Sequence, residues 1–290
     1  MRNKITRNQA HSESSPTQKE RWPRWKRFAG TLAVCAAAGL LASCGTQDRN
    51  YRRVSSAVME LQRDPDTREA LLEWISLAEN TEADAESRIK AKGSLVNAAL
   101  GGELSQNNLE LVFGFLETNA DNEVEEIALG CTHAIGILGQ RNPEYTDRSL
   151  IVLERVLDGD YEDGISEAIS RLRDIATSEN GLLHVRRIAG LLEGVFDMPL
   201  NPDISEKAVL AMISIGEDEG VRDLDREEII DALFRAARTF EHTICLVWYG
   251  LEDICSIDNI DPGIVLRVEQ ESGRILWTYE DAPCSDWFSE

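Results

Sequence analysis

The residues able to do chemistry are few and scattered. His242 and Cys245 stand three apart, so on a helix they share a face, and with Cys255 or Cys284 they offer zinc-ligand types. Paired Cys-x-x-Cys spacing is absent, and no metal is expected. His133 follows Cys131 by two residues, a spacing that sends neighbours to different helix faces. His184, beside Arg186-Arg187, reads as a polar helix position. Asp158-Gly-Asp160-Tyr-Glu162-Asp163-Gly164 alternates carboxylates as a calcium loop does. Its sixth position is Asp163 where such a loop turns on Gly, and its twelfth is Ile169 where a bidentate Glu closes the shell. An acidic interhelical turn is expected there. Glu217-Asp-Glu219 and Asp223 to Glu228 read as helix-start acids that complement the dipole. There is no Gly-x-Ser-x-Gly elbow, no His-Glu-x-x-His and no phosphate-cradling Gly loop. No catalytic residue is assigned, and no small-molecule substrate or dissociable cofactor is evident.

Cys245, Cys255 and Cys284 crowd the C-terminal end. Ten residues of helix span about 15 Å, whereas a disulfide needs Cα atoms within about 7 Å. A Cys245–Cys255 bridge inside one helix is therefore excluded, and Cys255–Cys284 is the expected pair. Cys131, in a helical apolar run, is expected to be a buried free thiol. Trp248-Tyr249, Trp277, Tyr279 and Trp287-Phe288 form an aromatic group in the same region. It reads as a local core, or as anchors for a partner through Trp248, Tyr249, Trp277 and Trp287.

The N-terminal residues pass through three zones. Met1 to Lys19 is polar. A basic cluster follows, Arg21, Arg24, Lys26 and Arg27, interleaved with Trp22 and Trp25. Then comes an uncharged run of 14 residues from Phe28 to Leu41. A bilayer-spanning helix needs about 20 residues, whereas the apolar region of a signal peptide needs about 7 to 15. The run ends in Leu41-Ala42-Ser43-Cys44-Gly45, which resembles the lipobox of bacterial lipoproteins. That resemblance implies cleavage between Ser43 and Cys44, diacylglycerol on the Cys44 sulfur and an acyl chain on its nitrogen. Two or more acyl chains anchor stably, at about 0.8 kcal/mol per buried methylene. It further implies a signal peptide over 1–43, a lipidated tether over 44–50 and export to the cell envelope. Gly45 stands where enteric-type sorting would use Asp for inner-membrane retention, which favours the periplasmic face of an outer membrane in a Gram-negative cell.

Removing that leader sharpens the charge. The whole chain has 30 Lys+Arg and 52 Asp+Glu; the leader holds 8 and 2 of these, so the remainder carries a net −28. Such a surface repels nucleic-acid phosphates. It suits solubility in a salty habitat, or a basic protein partner.

From residue 51 to 256 the apolar residues recur at three and four spacings, the mark of amphipathic helices. Helices of one kind are expected near Asp84, Glu123, Glu162 and Asp203, in steps of 39, 39 and 41 residues. Partner helices fall between, near Gln106, Asp147, Gly181 and Asp225. Two helices per unit of about 40 residues is a solenoid signature, because a lone pair cannot bury its apolar face and must stack on neighbours. Leu109-Glu-Leu-Val-Phe-Gly-Phe-Leu116, a polar turn at Asn119-Ala-Asp121, then Val124 to Gly139 resembles a HEAT repeat. The fold class expected is all-α, a HEAT/armadillo-like solenoid. Departing from that family, Glu125-Glu126 and Glu167 stand early in the second helices where it often has a basic residue, and only Lys207 fits, which puts an ion-pair ladder along those helices in doubt. Residues 257–290 are expected to form a C-terminal cap built on a β-hairpin, Ile264–Glu269 and Arg274–Tyr279 turning at Gly273. The function these readings imply is a membrane-tethered scaffold for protein–protein interaction in the envelope. The alternatives are an envelope hydrolase working through acidic residues and a purely structural lipoprotein.

Overall fold

The computed structural model describes residues 68–101, 104–122, 124–198, 201–258 and 260–278, with side chains to 274. The lipobox, the tether, Cys284 and Trp287 lie outside the described residues. Among the described residues eleven α-helices follow one another: α1 Arg68–Glu79, α2 Ala85–Gly101, α3 Gln106–Asn119, α4 Glu125–Arg141, α5 Pro143–Leu157, α6 Glu162–Ala176, α7 Val185–Gly194, α8 Pro202–Gly216, α9 Asp223–Thr239, α10 Ile244–Cys255 and α11 Pro262–Thr278. Among the described residues there is no strand.

Side-chain oxygens and prolines start several of these helices. Asp84 takes the Ser87 amide (2.8 Å) and the Ser87 hydroxyl (2.7 Å) at the head of α2. Those bonds hold the Asp84 carboxyl below its usual range, the Ser87 amide contributing most. Asn201 accepts from the Asp203 amide, and Pro202 occupies the first turn of α8, where its missing N–H costs nothing. Pro143 likewise occupies the first turn of α5, where the Asn142 side chain turns back to donate to the Leu138 carbonyl instead of capping the helix.

The helices form two layers. The odd-numbered helices build one and the even-numbered the other; α2, α4, α6, α8 and α10 pack each on the next. The even helices start at residues 85, 125, 162, 202 and 244, steps of 40, 37, 40 and 42. One apolar cluster runs between the layers from Ala70 to Val268, with Phe113, Leu116, Ile135, Leu150, Leu153, Ile165, Leu172 and Ile175 fully buried. Each helix thus buries its stripe against the other layer and its neighbours along the stack, as a repeat architecture requires. Even helices approach closely at small residues. A Cβ built on Gly250 of α10 would stand 2.3 Å from two carbons of Ile213 on α8, and one on Gly216 would stand 2.6 Å from Ile254 Cδ1.

The expected β-hairpin is absent, because residues 262–278 are helix α11. Asp261 accepts the Gly263 amide at 2.7 Å and Pro262 sits in the first turn, a strong helix start. Ile264, Val268 and Ser272 then recur every four residues and are buried against the last repeat. β-Branched residues and Gly273 favour a hairpin locally, but a lone hairpin is marginal in water, whereas a helix here extends an existing stack. The helical repeats therefore continue past residue 256.

Candidate functional site

The surface of the odd-helix layer is stitched by arginines. Arg148 on α5 reaches back to α3, with Nη1 2.6 Å from Glu110 and Nη2 2.6 Å from Glu117. Arg155 meets Asp121 at 2.5 Å. Arg187 on α7 reaches Glu154 on α5 at 3.2 Å, and Arg186 turns forward to Glu228 on α9 at 2.6 Å. Arg235 returns to Glu193 at 2.9 Å, Arg238 meets Glu271 on α11 at 3.0 Å, and Arg267 pairs with Asp231. A ladder of ion pairs does exist, on the first helices from α3 to α11. Its sequence signal is the offset: Glu110 and Arg148 are 38 residues apart, close to the repeat length. Exposed pairs of this kind contribute about 0–1 kcal/mol each, so the ladder fixes register more than it adds stability.

Exposed acids gather at the turns along the stack. Where a first helix turns into a second, Glu82, Asp84, Asp121, Glu125, Glu126, Asp158, Asp160, Glu162 and Asp163 are all exposed. Between the α3–α4 and α5–α6 turns this edge opens into a cleft of about 340 Å3, lined among others by Asp121, Glu125, Arg155, Asp160 and Tyr161. Ala120, Ala128, Gly159 and Gly164 also line it, small residues that leave the space open. The Tyr161 ring lies across Gly164, its Cδ1 only 2.8 Å from where a Cβ would stand. Burial, then the carboxylates of Asp163, Glu125 and Glu126, push the Tyr161 phenol up. Arg155 is engaged by Asp121 and by the Glu117 carbonyl at 2.5 Å, so it leaves Glu125 and Asp160 unneutralised by its own charge. The cleft can accept a cationic side chain against an aromatic wall. The segment with calcium-like carboxylate spacing supplies part of it. Among the described residues no group of three or more His, Cys, Asp or Glu is arranged to hold a metal ion.

The other sequence candidates fall apart from this cleft. His133 Nδ1 lies 2.8 Å from Glu167, which also meets Arg171 at 2.9 Å, on the even-helix layer. His184 stands 3.6 Å from Asp147. His242 Nε2 lies 3.2 Å from Ser205 Oγ, a serine–histidine approach worth testing against hydrolase chemistry. Ser205 Oγ, however, donates to the Pro202 carbonyl at 2.7 Å and is buried, so its proton is committed and it accepts from the imidazole. Glu217 is pushed up by burial and by Asp253, with no histidine bonded to it. Cys131 is a buried free thiol, pushed up to about 12 by burial.

The cysteine pairing differs from expectation. Cys255 is a free thiol, so the Cys255–Cys284 bridge is not formed. Cys245 is the disulfide-bonded one, which also removes its sulfur from joint metal ligation with His242. Cys255 lies in the last turn of α10 and Cys245 in the first. Trp248 is half-buried and Tyr249 exposed, and each engages a further group. Trp277 belongs to α11.

No family model matches this chain, and no curated protein matches it. Among solved structures, a designed armadillo repeat protein in complex with the peptide (KR)4 aligns over 74% of this chain and 94% of its own, at 17% identity and a TM-score of 0.49. Two engineered proteins align at 16% identity with a TM-score of 0.47, over 73% of this chain and 90% of that one, and at 14% with 0.48, over 90% and 67%.

Proposed function

We propose that this chain is a protein-interaction scaffold, held to a membrane of the bacterial envelope by lipid on Cys44, that captures a basic segment of a partner protein along its acidic edge. The observation that carries the reading is the cleft between the α3–α4 and α5–α6 turns. There Glu125 and Asp160 face a space of about 340 Å3 walled by Tyr161. A volume at the low end of ligand pockets (about 300–1,000 Å3) suits one long side chain entering from a bound segment. The net charge steers such a segment toward the edge. The lipobox sequence supports the tether, and a disulfide at Cys245 fits an oxidising compartment.

Titration of a Lys/Arg-rich peptide and of an Asp/Glu-rich control, followed by calorimetry, tests the site. The basic peptide should bind with an affinity that falls as salt rises. Replacing Glu125 by Gln and Asp160 by Asn together should weaken it by about tenfold or more, equivalent to roughly 1.4 kcal/mol. Equal binding by the double variant would remove the cleft from the mechanism. Incorporation of labelled palmitate, abolished in Cys44→Ala, tests the anchor separately.

A further inference from the structure

We infer that Arg155 is the chain's own stand-in for a guest: it fills a guanidinium seat on Asp121 and the Glu117 carbonyl that an arginine of the bound segment takes over by exchange. The inference rests on the reading of the cleft as the seat of a basic segment, and it names arginine rather than lysine as the residue read there. Arg155 Nε lies 2.5 Å from Asp121 Oδ2, and Arg155 Nη2 donates to the Glu117 carbonyl at 2.5 Å. Two separate nitrogens of one planar group thus meet two acceptors. A planar fork does this with less loss of freedom than an ammonium, whose protons all turn about one atom. Glu117 stands in the last turn of α3, where the negative pole of the helix favours a cation. Asp121 and Arg155 line the same cleft as Glu125, Asp160 and Tyr161. The seat therefore adjoins the place proposed for a guest cation, and its own occupant displays the chemistry it takes.

Arg155 is placed to give way. It and Asp121 are each about half exposed (48%), and an ion pair in that setting is worth little and yields to salt. The same two units stay joined without it, because Arg148 on α5 holds Glu110 and Glu117 on α3. Exchange also leaves the charge in the seat unchanged. One guanidinium enters as the other swings to solvent, so no additional charge is desolvated. Glu125 and Asp160 take no part in the Arg155 bonds and remain for a second cation of the guest. Arg155 thereby sets a threshold. A segment with a lone cation meets Glu125 and Asp160 only, while one that also carries arginine gains the seat. The cleft then separates arginine-bearing basic segments from lysine runs of equal charge, a distinction that net charge alone does not make.

Calorimetry on the full chain tests the exchange, with peptides in which a lysine is joined by glycine linkers of graded length to an arginine or to a second lysine. The side-chain nitrogen resonance of Arg155, identified by its loss in Arg155→Lys, is followed alongside. At the best linker the arginine peptide should bind about fivefold tighter or more than its lysine counterpart. It should also move the Arg155 resonance to the position of a free side chain, which the lysine peptide should not do. Arg155→Gln should raise affinity for the arginine peptide several-fold more than for the lysine peptide, and adding Asp121→Asn should cancel that difference. An Arg155 resonance unmoved at saturation would overturn the exchange. Equal gains by both peptides in Arg155→Gln would also overturn it, since loss of a repelling charge then accounts for the effect. Either result leaves the cleft reading in place wherever binding still depends on Glu125 and Asp160. Binding by neither peptide would instead sink the cleft reading, and the exchange with it.

Discussion

The guanidinium carbon of Arg148 lies 4.6 Å from the centroid of the Phe113 ring, while its nitrogens hold Glu110 and Glu117. Phe113 in turn stacks on Tyr145, centroids 4.6 Å apart. One side chain thus joins α3 to α5 by ion pairing and by contact with the aromatic core. The bond to Glu117, then that to Glu110, hold the guanidinium charged against the cost of burial. Because about a third of it is exposed (34%), solvent screens the pairing. Arg148→Ala should cost about 1–2 kcal/mol in urea unfolding. Lys should recover less than half, lacking the planar fork, and the deficit should shrink in 1 M salt.

Arg226 is nearly sealed and donates to the Gly216 carbonyl (3.0 Å), the Asp218 carbonyl (2.7 Å) and Asp223 (2.9 Å). It serves the Gly216 carbonyl at the end of α8 and ties down the following turn at the Asp218 carbonyl, which also accepts the Val221 amide at 3.0 Å. Arg226→Leu should destabilise by about 2–3 kcal/mol, because the Gly216 carbonyl would be stranded and the turn released. Amide exchange should quicken first across residues 213–225. A loss confined to global stability, with no local change, would argue against the capping role.

Alkaline pH should weaken the fold. The Cys131 thiol is pushed from 9.0 to about 12 and the Tyr145 phenol from 10.0 to about 12, each chiefly by burial. Folded protein keeps these protons while the unfolded chain releases them. The stability they provide is complete below pH 9 and is lost as pH rises toward 12. Urea midpoints should stay level from pH 7 to 8.5 and fall above pH 9, and Cys131→Ala should flatten the decline. Native Cys131 should also resist iodoacetamide at pH 8.

Glycines on the helices divide by what stands opposite. Gly93 and Gly273 face open space, so Ala there should raise stability by about 0.5–1 kcal/mol through helix propensity alone. Gly250 faces Ile213 at 2.3 Å, and a β-branched neighbour cannot swing aside. Gly250→Ala should therefore lower the melting temperature, with crowding of about 1–3 kcal/mol outweighing propensity. A rise at position 250 would mean that α8 and α10 separate at little cost.

The repeat was legible because it is written in local terms. Asp84, Pro143 and Pro202 mark helix starts, and Ile165, Ala168, Ile169, Leu172 and Ile175 trace one apolar stripe of α6. The last helix was not legible. Ile264, Val265 and Val268 favour strand by local preference, and what decides is the exposed face of α9 and α10 waiting beside them. The cleft was half visible. Asp158 to Gly164 stood out as an acidic turn, but its opposite wall, Asp121 to Glu125, comes from a different unit and meets it through stacking. That Cys245 and not Cys255 is disulfide-bonded was not legible either, because spacing along the chain excludes a bridge inside one helix but does not rank the two sulfurs.

The arginine ladder sets a limit on how this chain can change its length. Arg148, Arg187, Arg186, Arg235 and Arg238 each find their acid on the preceding or following first helix, some pointing backward and some forward. From α3 onward, no unit is electrically complete without the particular neighbour it has. Deleting the α7–α8 unit would strand Glu154 on one side and Glu228 on the other, and would leave Arg235 without Glu193. Arrays of near-identical units gain and lose copies by recombination with little penalty; here each such event would need matching charge changes in two adjoining units. The number of units and their order are therefore inherited together, as one indivisible part.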